Sequence, residues 1–284
     1  MHFLGIYSII KEVLFSMVEY QQKENYSISD LLEIVKILRG EGGCPWDREQ
    51  THKSIRNDFL EETCEVLEAI DNDDSALLRE ELGDVLLQVV FHTRIEEEQN
   101  VFCFNDVCDE ICKKLIVRHP HVFGEVKADS TEKVLENWDA IKMQTKGQET
   151  YTDTLTSVAK TLPALMRAQK VGKRAMRAGM DFRTAQDASD CITAEKKELD
   201  EAISNGDSAN AVEELGDLLF SCVNLARHLG INAEEALRIS TDKFIKRFSV
   251  TEELVRQDSL DMKNLPIEEL DVYWEKAKNI IKEE

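Results

Sequence analysis

Carboxylates spaced to hold a hard cation occur twice in this chain. Glu62 and Glu65 stand three residues apart, followed by Glu81-Leu82-Gly83-Asp84. The second half carries Glu198 and Glu201, followed by Glu214-Leu215-Gly216-Asp217. On a helix, residues three or four apart share a face. Two antiparallel helices carrying one pair each can therefore bring four carboxylates together. Such oxygen donors suit Mg²⁺, with Mn²⁺ the alternative, and leave positions for water and phosphate oxygens. Glu80 and Glu213, each just before its second pair, are candidates to orient a water molecule.

Cations and aromatics come next, in the same order in each half. Lys114 and Arg118, then Trp138 and Lys142, occupy the first half. Lys243 and Arg247, then Trp274 and Lys278, occupy the second. Corresponding positions are offset by 198 − 62 = 136, 217 − 84 = 133, 247 − 118 = 129 and 278 − 142 = 136. An internal repeat is read before anything else, and what repeats here is a set of reactive groups. Arg makes bidentate phosphate contacts and Lys supplies a point charge, so the cations read as polyphosphate clamps walled by the tryptophans. Trp46 and Phe182 (182 − 46 = 136) read as packing residues. His119 and His121 lack a counterpart and read as loop packing.

Taken singly, a Glu-x-x-Glu or a Lys is most often a solvated helix face. The apolar pattern argues otherwise for the acids. Glu62 lies three residues after Phe59 and four before Val66, and Glu81 lies among Leu77, Leu78 and Val85. Carboxylates interrupting apolar stripes are costly unless paired, protonated or bound to metal. A glycine inside a helix costs about 1 kcal/mol against alanine, yet Gly83 and Gly216 recur between the paired acids, which suggests close approach of a helix or ligand. A di-iron carboxylate bundle would want Glu-x-x-His pairs, and none lies beside these acids.

The elements that must carry these groups are helices. The apolar period predicts a helix capped by Ser27 or Ser29 and stopped by Gly40, a loop over 40–50, and helices over 52–71 and 75–98 with Ser75 as a cap. Further helices are expected over 104–118, 131–144, 161–177, 184–204, 208–230, 232–257 and 266–282. No convincing period-2 strand is present. The expected architecture is all-α, with two tandem helical bundles: an extension over 1–27, a domain over 28–144, a polar linker over 145–158 and a second domain over 159–284. Met17 is an alternative start.

Composition narrows the partners. Twelve Gly and four Pro are too few for a sandwich or barrel. A net charge of −21 argues against nucleic acid or an anionic membrane as partner. Seven cysteines without framework spacing read as free thiols in a reducing, cytoplasmic setting. The apolar patch Phe3-Leu4-Gly5-Ile6 is interrupted by Lys11 and Glu12 and makes a poor signal peptide.

The acid motifs resemble the Glu-x-x-Glu…Glu-x-x-Asp signature of the all-α nucleoside triphosphate pyrophosphohydrolases. From about residue 28 onward the chain resembles the two-domain MazG family. The resemblance also rests on Gly43-Cys44-Pro45-Trp46-Asp47-x-x-Gln50-Thr51-His52, Arg118-His119-Pro120-His121-Val122-Phe123 and Leu162-Pro163-Ala164-Leu165-Met166-Arg167-Ala168-Gln169-Lys170. It implies Mg²⁺-dependent cleavage of a nucleoside triphosphate to monophosphate and pyrophosphate, a homodimer, and a catalytic C-terminal half. At the first acid helix of that half the family often shows two adjacent acids, where this chain reads Lys197-Glu198. A non-catalytic nucleotide-sensing or protein-interaction module is the alternative, and intact acids in both halves argue against it.

Overall fold

The computed structural model describes residues 20–125, 130, 133–134, 141 and 147–283. Among them there is no strand, in line with the all-α expectation. The chain divides into two compact units at the 138/139 boundary. The helix expected over 131–144, Trp138, Lys142 and residues 1–19 of the extension lie largely or wholly outside the described residues.

The first unit contains α1 (Ile28–Arg39), α2 (Pro45–Glu49), α3 (Arg56–Asp71), α4 (Ser75–Glu98), α5 (Phe104–Arg118) and α6 (Pro120–Phe123). Asp30 accepts from the Ser27 backbone N–H at 2.8 Å, closing the start of α1, and Gly40 stands just past its end. The expected loop over 40–50 contains the short α2, with Pro45 in its first turn. Arg39 fixes α2 to the core: its guanidinium donates to Asp47 O and Gln50 O, pairs with Glu98 at 2.9 Å and lies 5.0 Å from the Phe91 ring centroid. Val35, Ile55, Val90, Phe91 and Ile95 form the apolar centre beneath it.

The two long helices of this unit form an antiparallel hairpin. Its turn, Asn72-Asp73-Asp74, holds Asp73 at φ +52°. Asp74, not Ser75, caps α4: its carboxylate accepts from the N–H groups of Ala76 and Leu77 at 2.9 and 3.0 Å. An aspartate one residue earlier reaches two of the orphan donors of the first turn, and its charge suits the helix N-terminus.

The second unit contains α7 (Tyr151–Thr156), α8 (Ala164–Arg177), α9 (Ala185–Ser204), α10 (Ser208–His228), α11 (Ala233–Gln257), a 3₁₀ turn (Met262–Asn264) and α12 (Ile267–Glu283). Part of the stretch read as a linker is therefore a helix. Thr150 and Asp153 close a capping box at its start, and Arg174 of α8 donates to Thr154 O and, at 2.8 Å, to Ser157 Oγ. α9 and α10 form the second hairpin, with Gly206 of its turn at φ +68° and Asp207 accepting from Asn210 N–H at 3.1 Å. α8 crosses α10 at Gly172, where a Cβ would stand 2.9 Å from Asn224 Oδ1. Arg227 and His228 of α10 both bond Asp181 ahead of α9, holding its carboxyl below the usual range through the Arg227 hydrogen bonds.

Candidate metal centres

Each hairpin gathers acids from both of its helices. In the first, Glu62 of α3 and Glu81 and Asp84 of α4 offer carboxylate oxygens all within 4.8 Å of one another. Glu65 adjoins them. Burial, reinforced by the charges of Asp84, Glu65 and Glu81, raises the pKa of Glu62. Burial and then the Glu65 charge raise that of Glu81. Glu81 is 9% exposed, an unusual place for an acid with no cationic partner among the described residues. Glu80 is exposed and adds its charge to Glu81.

In the second hairpin the cluster is Glu195, Glu214 and Asp217, again within 4.8 Å. Burial and the charges of Glu198, Asp217, Glu195 and Glu213 raise the pKa of Glu214. The expected pair Glu198 and Glu201 is thus one turn out of register. Glu198 lies beside the cluster, whereas Glu201 is exposed and faces Lys197 at 3.6 Å. Lys197 consequently points away from the acids.

The signal for the clustered acids was in the sequence. The offset of the second acids, 214 − 81 = 133 and 217 − 84 = 133, maps Glu62 onto Glu195 and Glu65 onto Glu198. The turn obeys the same offset: Asp73 maps onto Gly206 and Asp74 onto Asp207, and buried Ala69 maps onto buried Ala202. The offset of 136 used for Glu198 holds upstream, at Trp46 and Phe182. Phe182 stands 13 positions before Glu195, whereas Trp46 stands 16 before Glu62, so the second half is three residues shorter ahead of its acids, although α9 itself begins a turn earlier than α3 relative to the shared end of the hairpin.

Among the described residues, Lys114, Lys243, Arg247, Trp274 and Lys278 make no hydrogen bond or ion pair with the acids. Trp274 packs on Phe244 of α11, ring centroids 5.1 Å apart, and Lys278 pairs with Glu275 at 2.7 Å. Lys243 is exposed, and Arg247 Nε is buried without a hydrogen bond. Lys114 is exposed and Arg118 half-buried on α5. Among the described residues no ion pair links these cations to an acid cluster. A Cβ on Gly83 or Gly216 would meet nothing within 4 Å, so no described element of the same chain closes on these glycines.

A second side-chain group escaped the sequence reading. His52, ahead of α3, joins His92 and Glu96 of α4 in a chain of short hydrogen bonds. It has no repeat to announce it, since 92 + 133 is Leu225.

Among the described residues the architecture is all-α, and each of its two hairpins brings three carboxylates close enough that they could hold a metal ion. The family model described as the MazG nucleotide pyrophosphohydrolase domain matches residues 50–123 and 183–249, each segment spanning an acid hairpin and the helix after it. The chain is 44% identical over 249 residues to the Thermotoga maritima nucleoside triphosphate pyrophosphohydrolase/pyrophosphatase MazG, covering 88% of this chain and 94% of that one. It is 43% identical over 257 residues to the Escherichia coli nucleoside triphosphate pyrophosphohydrolase, covering 88% and 97%. A Mycobacterium tuberculosis relative of the same description is 42% identical over 153 residues, covering 53% of this chain and 45% of its own. The chain belongs to the MazG family.

Proposed function

We propose that this protein is a nucleoside triphosphate pyrophosphohydrolase that converts NTPs and dNTPs to monophosphate and pyrophosphate, clearing or balancing nucleotide pools. The observation that carries this reading is the double closure of the acid cluster at one constant offset. The donor set fits Mg²⁺, with Mn²⁺ the alternative: carboxylate oxygens only, on a rigid hairpin, with raised pKa values that a cation would relieve. Glu62, Glu65, Glu81 and Asp84 would hold it in one unit, and Glu195, Glu198, Glu214 and Asp217 in the other. Bound cations would polarise the α-phosphate and lower the pKa of the attacking water.

The chain's own groups do the rest. Glu80 and Glu213 flank the clusters from solvent and would orient the attacking water. Lys243, Arg247 and Lys278, with Lys114, Arg118 and Lys142, would neutralise the polyphosphate, and Trp274 and Trp138 would wall it. That Lys114, Lys243 and Lys278 make no ion pair with an acid cluster among the described residues supports a homodimer in which a second copy brings helices to each hairpin. The apolar faces left exposed on α5 (Ile111, Leu115, Ile116) and α11 (Leu237, Phe244, Phe248), and the open space at Gly83 and Gly216, support the same assembly. Among the described residues no helix is long and apolar enough to cross a membrane. A cytoplasmic enzyme without nucleic-acid or membrane partners fits the charge and the free cysteines.

Incubation with each of the common NTPs and dNTPs in Mg²⁺, with product analysis, tests the reading. Monophosphate and pyrophosphate are expected. No Gly-x-x-x-x-Gly-Lys segment is present to support γ-phosphate chemistry, so diphosphate and orthophosphate as first products would refute it.

A further inference from the structure

The face of α4 that carries Glu81 and Asp84 continues with Gln88, His92 and Glu96, at steps of four residues that stay on one side of a helix. Phe59 of α3 meets the His92 ring edge-on at 5.8 Å, so α3 and α4 stay in contact from the acids to the histidine pair. Two polar atoms on this face are without partners. Gln88 Oε1 is buried and makes no hydrogen bond. His92 Nε2 also makes none among the described residues.

The tautomer of His92 is set by its neighbours. Glu96 Oε1 stands 2.7 Å from His52 Nε2, and a carboxylate only accepts, so His52 Nε2 carries the proton. With the rings neutral, His52 Nδ1 is then the acceptor in the 2.8 Å contact between the two Nδ1 atoms, and His92 Nδ1 donates. His92 Nε2 is left as a bare acceptor. Arg39, which anchors α2 through Asp47 O and Gln50 O, holds the segment leading into His52.

The two residues that carry these acceptors stand one helical turn apart, about 5–6 Å between Cβ atoms, so both side chains can reach one ligand. A primary amine donating both hydrogens at about 2.9 Å and about 120° spans acceptors roughly 5 Å apart. The second unit lacks the pair: Gln88 maps onto Ser221, which is already engaged by Cys191 at 3.4 Å, and His92 maps onto Leu225.

We infer that Gln88 and His92 form a base-reading subsite of the N-terminal unit, selecting nucleotides whose base bears an exocyclic amine over keto bases such as uracil. This rests on the nucleotide reading of the acid hairpin. A nucleotide laid along α4 with its triphosphate at Glu62, Glu81 and Asp84 would reach His92 about 12 Å further on, eight residues at about 1.5 Å each from Asp84. The base amine would supply the donor that Gln88 Oε1 lacks, relieving a buried orphan acceptor. His52 and Glu96 are positioning residues: they fix the tautomer of His92 without touching the base.

The test is binding to the full chain carrying Glu214→Gln and Asp217→Asn, titrated with Mg²⁺ and the α,β-imido analogues of dATP, dCTP and dUTP. The dATP and dCTP analogues should bind about tenfold tighter than the dUTP analogue. His92→Leu and Gln88→Leu should erase that ratio while leaving dUTP-analogue affinity in place. Gln88→Glu, which keeps an acceptor, should retain the ratio, and Glu96→Gln should weaken it. Circular dichroism identifies any variant that fails to fold, and the paired Gln88 substitutions then decide. Equal affinity for all three analogues, or a ratio unmoved by His92→Leu, overturns the subsite while the acid site stands. Absence of any binding overturns the subsite and the N-terminal nucleotide site together. Turnover by the unsubstituted chain reports separately on the proposed activity.

Discussion

The hairpins α3/α4 and α9/α10 are two solutions to one problem, and they agree only where the problem demands it. Both place a positive-φ residue and then a capping aspartate in the turn, Asp73-Asp74 in one and Gly206-Asp207 in the other. Both bury an alanine near the turn and close acids at the same height. Away from the acids they part. The first continues into Gln88 and His92, the second into Ser221 and Leu225. The first is tied upstream by Arg39, the second by the bidentate Arg227–Asp181 pair. What is shared sets the positions of charges, and what differs sets what lies next to them.

Removing that shared element should have the largest effect. Substituting both second acid pairs together, Glu81→Gln with Asp84→Asn and Glu214→Gln with Asp217→Asn, should lower turnover by about a thousandfold or more, the several kcal/mol that carboxylate-held cations contribute. Of the two pairs alone, the C-terminal one should cost more. A steady-state assay of each ranks the units, and full activity after loss of both would end the metal assignment.

The register is the next place to press. Glu195→Ala should cost at least about tenfold in kcat, because Glu195 is in the cluster. Glu201→Ala should cost less than about twofold, because it faces solvent and Lys197. The opposite order would restore the register expected from an offset of 136 between the halves.

The turns give a smaller and purely structural contrast. Gly206→Ala places a Cβ at φ +68° and should destabilise the second unit by about 1 kcal/mol. Asp73→Gly relieves the same strain in the first unit while loosening the unfolded chain, and should change stability by only about a few tenths of a kcal/mol. Chemical denaturation of each variant measures both.

The smallest effect expected is a pH dependence in metal-free buffer. The pKa of Glu62, Glu81 and Glu214 is raised above the ordinary 4.5 by burial and neighbouring acids. The folded state therefore binds more protons, so this contribution is fully present below pH 4.5 and is lost as pH rises through the raised values. Glu81→Gln should gain stability relative to the parent as pH rises, and Mg²⁺ should shrink the gap. Melting curves of both proteins across about pH 4 to 8 would contradict this if the difference stayed flat.

Much of this was legible in the chain. Apolar periodicity, Gly40 and the short polar turns marked the long described helices, since burial and capping leave a local trace, but not the short ones at Pro45–Glu49, Pro120–Phe123 and Tyr151–Thr156. Glu62, Glu81, Asp84, Glu214 and Asp217 were legible because acids inside apolar stripes are conspicuous. Glu195 was hidden because the second half is three residues shorter ahead of its acids, which moves the spacing between the halves from 136 to 133, and a second Glu-x-x-Glu begins three residues on. Asp74 and Ser75 are both good caps, and only backbone geometry chooses between them. The His52–His92–Glu96 chain was invisible because it joins residues 40 and 44 apart that repeat nowhere.

The spacing across each hairpin is the same, 81 − 62 = 19 and 214 − 195 = 19. Each added residue rotates a helix by about 100° and advances it by about 1.5 Å, so the three-residue turn acts as a gauge block. One residue more or less there would swing one pair of acids out of reach of the other. The donor set is therefore a property of hairpin length and travels whole with that segment. Copying the segment copies a complete donor set, and later changes on its flanks can re-tool one copy while the other keeps its original task.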